Sequence, residues 1–212
     1  MRLQPPHNYQ RIGLLGGSFD PPHWGHIRTA AAAADELKLD QVAFLPALHP
    51  PHKQDRPVSD YALRRAMIEL CLPLDPRFRL CVVEEEYSLP GTTVETVQKL
   101  RELGFTEERC HLVWLIGSDS LLDLSRWHQP QRLLESIEMA VLPRPGYPAG
   151  QALQQYSEKV AILNTPQVAI SAQDIRAHRA ILEASVPPPV AQFIRQRGLY
   201  SYARIKSERH QK

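Results

Sequence analysis

The stretch 11-RIGLLGGSFDPPHWGHIRTAAAAADEL-37 decides how the rest of the chain is read. Arg11 to Leu15 is a short apolar run that ends at Gly16 and Gly17, the pattern of a buried first strand. Gly25 to Leu37 is alanine-rich and reads as a helix. Between the two lie His23 and His26, three residues apart across the helix start. A glycine turn lets the backbone approach a ligand with no Cβ in the way. The first helical turn offers free N–H groups and the positive end of the dipole, which favour an anion. Imidazoles add donors able to carry positive charge. Together these make a candidate phosphate site. Blander readings stay open beside it. A histidine at a helix start is ordinarily a cap or a surface residue, and a zinc site needs a third ligand that does not stand at suitable spacing. No lysine follows the glycines, as a Walker A loop requires.

Outward from this turn, strands alternate with helices. Gln41 to Leu45, Leu80 to Val83, His111 to Ile116, Glu138 to Leu142 and Val160 to Leu163 read as strands. His111 to Ile116 (HLVWLI) is the most apolar and is expected at the centre of the sheet. Asp60 to Leu72, Val94 to Leu103, Ser120 to Leu124, Pro130 to Ser136, Ala172 to His178 and Val190 to Arg197 read as helices. Ala47 to Pro57, with its prolines and histidines, is a loop. The alternation predicts an α/β fold, a doubly wound, Rossmann-like, mostly parallel sheet with helices on both faces. Ligands in such folds bind beyond the carboxyl ends of the strands. Those ends are Gly16 to His26, Pro46 to Lys53, Glu84 to Thr93, Gly117 to Asp119 and Pro143 to Tyr147.

The 212 residues suit a single domain, expected over 11–203 between a flexible segment 1–10 and a charged tail 204–212. A net charge of +2 is too small to make nucleic acid or a membrane surface the main partner. Met1 to Gln10 is too polar for a secretory signal, and no apolar run reaches the ~18 residues of a membrane span. Cys71, Cys81 and Cys110 form no C-x-x-C and read as buried thiols in a reducing compartment. A cytoplasmic protein is expected, and a homo-oligomer is compatible with everything above.

The string G-G-S-F-D-P-P-H-W-G-H resembles the signature of the nucleotidylyltransferase superfamily, H-x-G-H after a glycine turn, here His23-Trp24-Gly25-His26. The segment 171-SAQDIR-176, preceded by Ile170, is similar to the second signature, I-S-S-T-x-[IL]-R, with Ala172 and Gln173 in place of Ser and Thr. Four more segments resemble bacterial nicotinate mononucleotide adenylyltransferase: 50-PPHK-53, 117-GSDSLLDLSRW-127, 144-RPGY-147 and 198-GLY-200. The turn 90-PGTTVET-96 departs from that family's P-S-Y-T-x-x-T at Gly91 and Thr92. The resemblance runs in order from Gly16 to Tyr200.

It implies transfer of the adenylyl group of ATP to nicotinate mononucleotide, giving nicotinate adenine dinucleotide and pyrophosphate by in-line attack without a covalent enzyme intermediate. The attacking phosphate is already ionised, so alignment and charge neutralisation, not a general base, carry the reaction. The resemblance puts His26 on the α-phosphate, His23 in support, and Arg176 with the Ser171 helix start on the β- and γ-phosphates. Gly16, Gly17, Ser18, Phe19, Gly117, Asp119 and Ile170 complete the ATP side. Lys53, Thr92, Thr93, Asp119, Trp127 and Arg144 form the mononucleotide side, with Trp127 stacking on the pyridine ring and Asp119 on ribose hydroxyls. Mg²⁺ is expected to ride on the triphosphate, since no carboxylate cluster suggests a metal held by protein side chains. Taken alone, Trp127 reads as core, Asp119 as a helix cap, and Lys53 and Arg144 as solvated charges. Two rival readings remain. One is the same chemistry on nicotinamide mononucleotide or another acceptor such as pantetheine phosphate. The other is a non-catalytic nucleotide-binding module on an inherited fold.

Overall fold

In the computed structural model, which describes residues 1–50, 58–147, 156 and 160–202, six strands form one sheet. They are β1 (Gln10–Gly17), β2 (Gln41–Pro46), β3 (Phe78–Leu80), β4 (Cys110–Gly117), β5 (Glu138–Leu142) and β6 (Val160–Ile162). Their spatial order is β3-β2-β1-β4-β5-β6, and every neighbouring pair is parallel. The helices are α1 (Trp24–Glu36), α2 (Tyr61–Glu69), α3 (Val83–Glu86), α4 (Thr93–Glu102), α5 (Ser118–Leu122), α6 (Pro130–Ser136), α7 (Ala172–Arg176), α8 (Leu182–Ser185) and α9 (Pro188–Arg197).

The strands show why both faces must be covered. Along β4, Val113 and Leu115 join one buried cluster with α1, α2 and α9, whereas Leu112, Trp114 and Ile116 join a second with α4, α5 and α6. The same alternation runs through β2, where Val42 and Phe44 face the first cluster and Ala43 and Leu45 the second. A strand apolar on both sides is stable only between two helical layers. The chain leaves β1 toward β2 on one side and returns to β4 on the other. The crevice between the ends of β1 and β4 is therefore the topological switch point.

Three expectations shift. The third strand, expected at Leu80 to Val83, occupies Phe78–Leu80, and Val83 opens α3. That apolar run is buried throughout, and burial alone does not separate strand from helix. The helix expected over Asp60 to Leu72 ends at Glu69, and Leu72–Leu74 is a 3₁₀ turn with Pro73 inside it. The segment expected to be flexible is tied at its start to the edge strand: Leu3 N–H donates to Leu80 O at 2.8 Å and Leu80 N–H to Met1 O at 3.0 Å. An edge strand offers unpaired backbone groups, and residues 1–3 use some of them. The expected tail 204–212 lies outside the described residues.

Candidate active site

The glycine turn closes β1 tightly. A Cβ at Gly16 would stand 3.0 Å from the Trp114 ring, and one at Gly17 3.1 Å from the Phe19 ring. Phe19 takes a left-handed backbone, with φ of 49°. Its buried ring stands edge-on to His26 at 5.0 Å and to Phe44 at 5.7 Å. Phe19 is therefore a wall of the site, expensive in backbone energy and anchored by packing. After the cis Asp20–Pro21 bond, His23 caps α1. Its N–H donates to Nδ1 of His26 at 3.2 Å, and the two imidazoles stack with centroids 3.8 Å apart. A Cβ at Gly25 would fall 2.8 Å from Nδ1 of His23, so the glycine of H-x-G-H is what lets that ring lie against the helix.

His23 is 3% exposed, and its Nδ1 has no hydrogen-bond partner among the described residues. Burial, then the Arg144 charge, lowers its pKa to about 3. His23 is therefore neutral at physiological pH, which corrects the expectation of two imidazoles able to carry charge. The desolvated pocket withholds the proton.

The second signature lies against the first. Ser171 Oγ accepts the N–H groups of Gln173 at 3.1 Å and Asp174 at 3.4 Å, capping α7. Arg176 Nη1 donates to the backbone oxygen of Asp20 at 2.5 Å and lies 3.9 Å from that residue's carboxylate. The Ile170 carbonyl is 3.8 Å from a Cβ built at Gly25. Two segments about 150 residues apart in sequence thus meet at one turn.

Across the switch point, Asp119 in the first turn of α5 accepts from Arg144 Nη1 at 2.6 Å, while its Oδ1 is buried without a partner among the described residues. A Cβ at Gly117 would sit 2.3 Å from that Oδ1 and 2.9 Å from Arg144 Cδ. Glycine is needed there for the pair to cross the strand end. Arg144 to Tyr147 is a tight turn with Gly146 at φ of 83° and a Tyr147 N–H to Arg144 O bond of 3.2 Å. Trp127 packs on the cluster that holds Val94 and Val97 of α4, and its Nε1 is buried without a partner among the described residues. Thr92 caps α4, its hydroxyl donating to Glu95, and Thr93 is the first helical residue. Lys53 lies outside the described residues.

Two residues that tie the site together were not singled out from the sequence. Arg64, 2% exposed, donates to three backbone oxygens, Ser18, Ala47 and Ser59, each at 2.9 Å. It clamps the glycine turn to the loop after β2. Burial lowers its pKa, and the Asp20 charge is the largest influence opposing that. Asp20, inside the quoted string, accepts from the Tyr200 hydroxyl at 2.6 Å and from Ser59 N–H at 3.3 Å. The spacing of Arg64 with Met67 and Ile68 on the buried face of α2 was the available clue. A cavity of about 730 Å³ opens at the opposite end of the sheet, by His111, Glu138 and Arg101, and holds none of these residues.

The fold is that of the cytidylyltransferase-like class, whose family model matches residues 14–178. A protein of Thermomicrobium roseum named "Probable nicotinate-nucleotide adenylyltransferase" is 37% identical over 198 residues, covering 90% of this chain and 91% of that protein. A Thermus thermophilus protein of the same name is 38% identical over 195 residues, covering 90% of this chain and 99% of its own. This chain belongs to the nicotinate-nucleotide adenylyltransferase family. Its fold matches Plasmodium falciparum nicotinic acid mononucleotide adenylyltransferase complexed with APC, with a TM-score of 0.75 at 16% identity over 92% of this chain and 98% of that one. The same parasite enzyme complexed with NaAD gives a TM-score of 0.73 at 15% identity over the same shares of the two chains.

Proposed function

We propose that this protein transfers the adenylyl group of ATP to nicotinate mononucleotide, releasing pyrophosphate and forming nicotinate adenine dinucleotide, a step of NAD biosynthesis. The observation that carries the reading is the meeting of His23, His26 and Arg176 on one glycine turn, at the switch point that also holds Asp119 and Arg144.

The acceptor phosphate attacks the α-phosphorus, the bond to the β-phosphate oxygen breaks, and pyrophosphate carries the charge away. No side chain needs to take a proton. His26 faces the α-phosphate. Because its Nδ1 accepts the His23 N–H, the ring proton stands on Nε2, which donates toward phosphate oxygen. His23 holds that tautomer rather than adding charge. Positive charge comes from Arg176, whose guanidinium exchanges the Asp20 carbonyl for the β- and γ-phosphates, supported by the Ser171 turn. Gly16, Gly17, Ser18, Phe19, Gly117 and Ile170 line the ATP side.

The unpaired Oδ1 of Asp119 suits a ribose hydroxyl, and Trp127 suits the pyridine ring. Thr92, Thr93, Arg144 and Lys53 complete the acceptor side, although Gly91 and Thr92 supply no aromatic wall. Mg²⁺ is assigned to the ATP phosphates as part of the substrate. The setting we assign is cytoplasmic, in keeping with free, buried Cys71, Cys81 and Cys110 and with no described helix long and apolar enough to cross a membrane.

The test is pyrophosphate release with ATP and Mg²⁺, run in parallel on nicotinate and nicotinamide mononucleotides. A strong preference for the acid is expected. Equal rates would make the enzyme dual in specificity, and no release with either would sink the reading.

A further inference from the structure

We propose that Glu84 is a positioning residue for the acceptor mononucleotide, its buried carboxylate locking the loop after β2 to the start of α4. The inference rests on the adenylyl-transfer reading, which puts the acceptor against these two segments. Glu84 lies just past β3, in α3, and is 4% exposed. Its Oε2 accepts the Leu48 N–H at 2.8 Å and its Oε1 the Thr96 hydroxyl at 3.1 Å. Thr96 is fully buried, and its Oγ lies 3.1 Å from the Thr92 carbonyl, directly under the Pro90 to Thr93 turn. The two segments touch above the carboxylate: a Cβ at Gly91 would stand 3.1 Å from the His49 carbonyl and 3.8 Å from Glu84 Oε2. Gly91 itself has a φ of 83°, so this close, left-handed approach suits glycine and not the family's serine.

A buried carboxylate is costly, and an apolar side chain would fill the same space more cheaply. What the carboxylate alone supplies is two acceptors with different partners: one holds backbone of the loop, the other holds the helix that Thr92 caps and Thr93 begins. Burial raises its pKa, and the Leu48 N–H is the first influence opposing that rise. Arg64 grips the glycine turn at Ser18 and the first residue of that loop at Ala47, and keeps both when Glu84 is altered, so loosening Glu84 frees the loop from Leu48 onward and the start of α4 and leaves the ATP side in place.

The experiment is steady-state kinetics of Glu84→Met, Glu84→Gln and Thr96→Val with ATP and nicotinate mononucleotide each varied. Glu84→Met, which deletes both acceptors, is expected to raise KM for the mononucleotide at least about tenfold while KM for ATP and kcat stay within about threefold. Glu84→Gln keeps an acceptor for Leu48 and can donate to Thr96 with the hydroxyl turned round, so it is expected to restore most of the loss. Thr96→Val cuts one tie and should fall between, and it carries the test if Glu84→Met does not fold. An unchanged mononucleotide KM, or both KM values rising together, would overturn the proposal. Absence of turnover in the unaltered protein would instead overturn the reading on which it rests.

Discussion

Among the contacts that hold His26 in place are the His23 N–H, the stacked His23 ring and the Phe19 ring. A preorganised donor of this kind is worth about 10²–10³ in rate. His26→Ala is accordingly expected to lower kcat by about that factor or more, with a thermal melt little changed, and steady-state kinetics beside a melt would check it. His23 makes a different prediction, about acid. Its pKa stands near 6.5 in the unfolded chain and about 3 in the folded one. Between those values the unfolded chain binds a proton that the folded one does not, so stability falls as pH falls. From this group alone the loss is about 2 kcal/mol between pH 7 and pH 5. Urea titrations at the two pH values would measure it, and His23→Asn should remove that share of the slope. Both histidines were legible in the sequence as a pair at the strand-to-helix turn. Their difference in charge was not, because it depends on how deeply one ring is buried against Gly25.

Among the elements, α6 and β5 match their sequence-predicted bounds residue for residue, since Pro130 marks one start and an unbroken apolar strand follows. The third strand was misplaced because a fully buried run carries no period that favours strand over helix. The harder case is α2. Its charged residues invite a solvent-facing reading, yet Arg64 shares the buried stripe with Met67 and Ile68. Ser59 is a near neighbour in sequence, but Ser18 and Ala47 are brought to Arg64 only by the fold. Arg64→Met keeps the packing and deletes the donors. It would leave three buried carbonyls without their donor, a loss of about 3–5 kcal/mol. Chemical unfolding would measure the loss. In the fraction that stays folded, KM for ATP should rise, because Ser18 is no longer held.

Over the whole molecule, the strand order places the two functional halves on opposite sides of one crevice. The β1-α1 turn with α7 stands on one side, and the ends of β4 and β5, carrying Asp119 and Arg144, on the other. A mostly parallel sheet with the candidate residues at the carboxyl ends of its strands follows from alternating strands and helices and was readable from the sequence, whereas the strand order was not. What the alternation does not carry is the set of ties that keep the loops in register at the crevice, because these join positions far apart in the chain. Arg64 illustrates the consequence. It grips the main chain of Ser18, Ala47 and Ser59 and asks nothing of their side chains. Those three positions are free to drift through evolution as far as this residue is concerned, while the arginine is not. Paired substitutions, the usual trace of contact in a family's history, would therefore be missing around this tie.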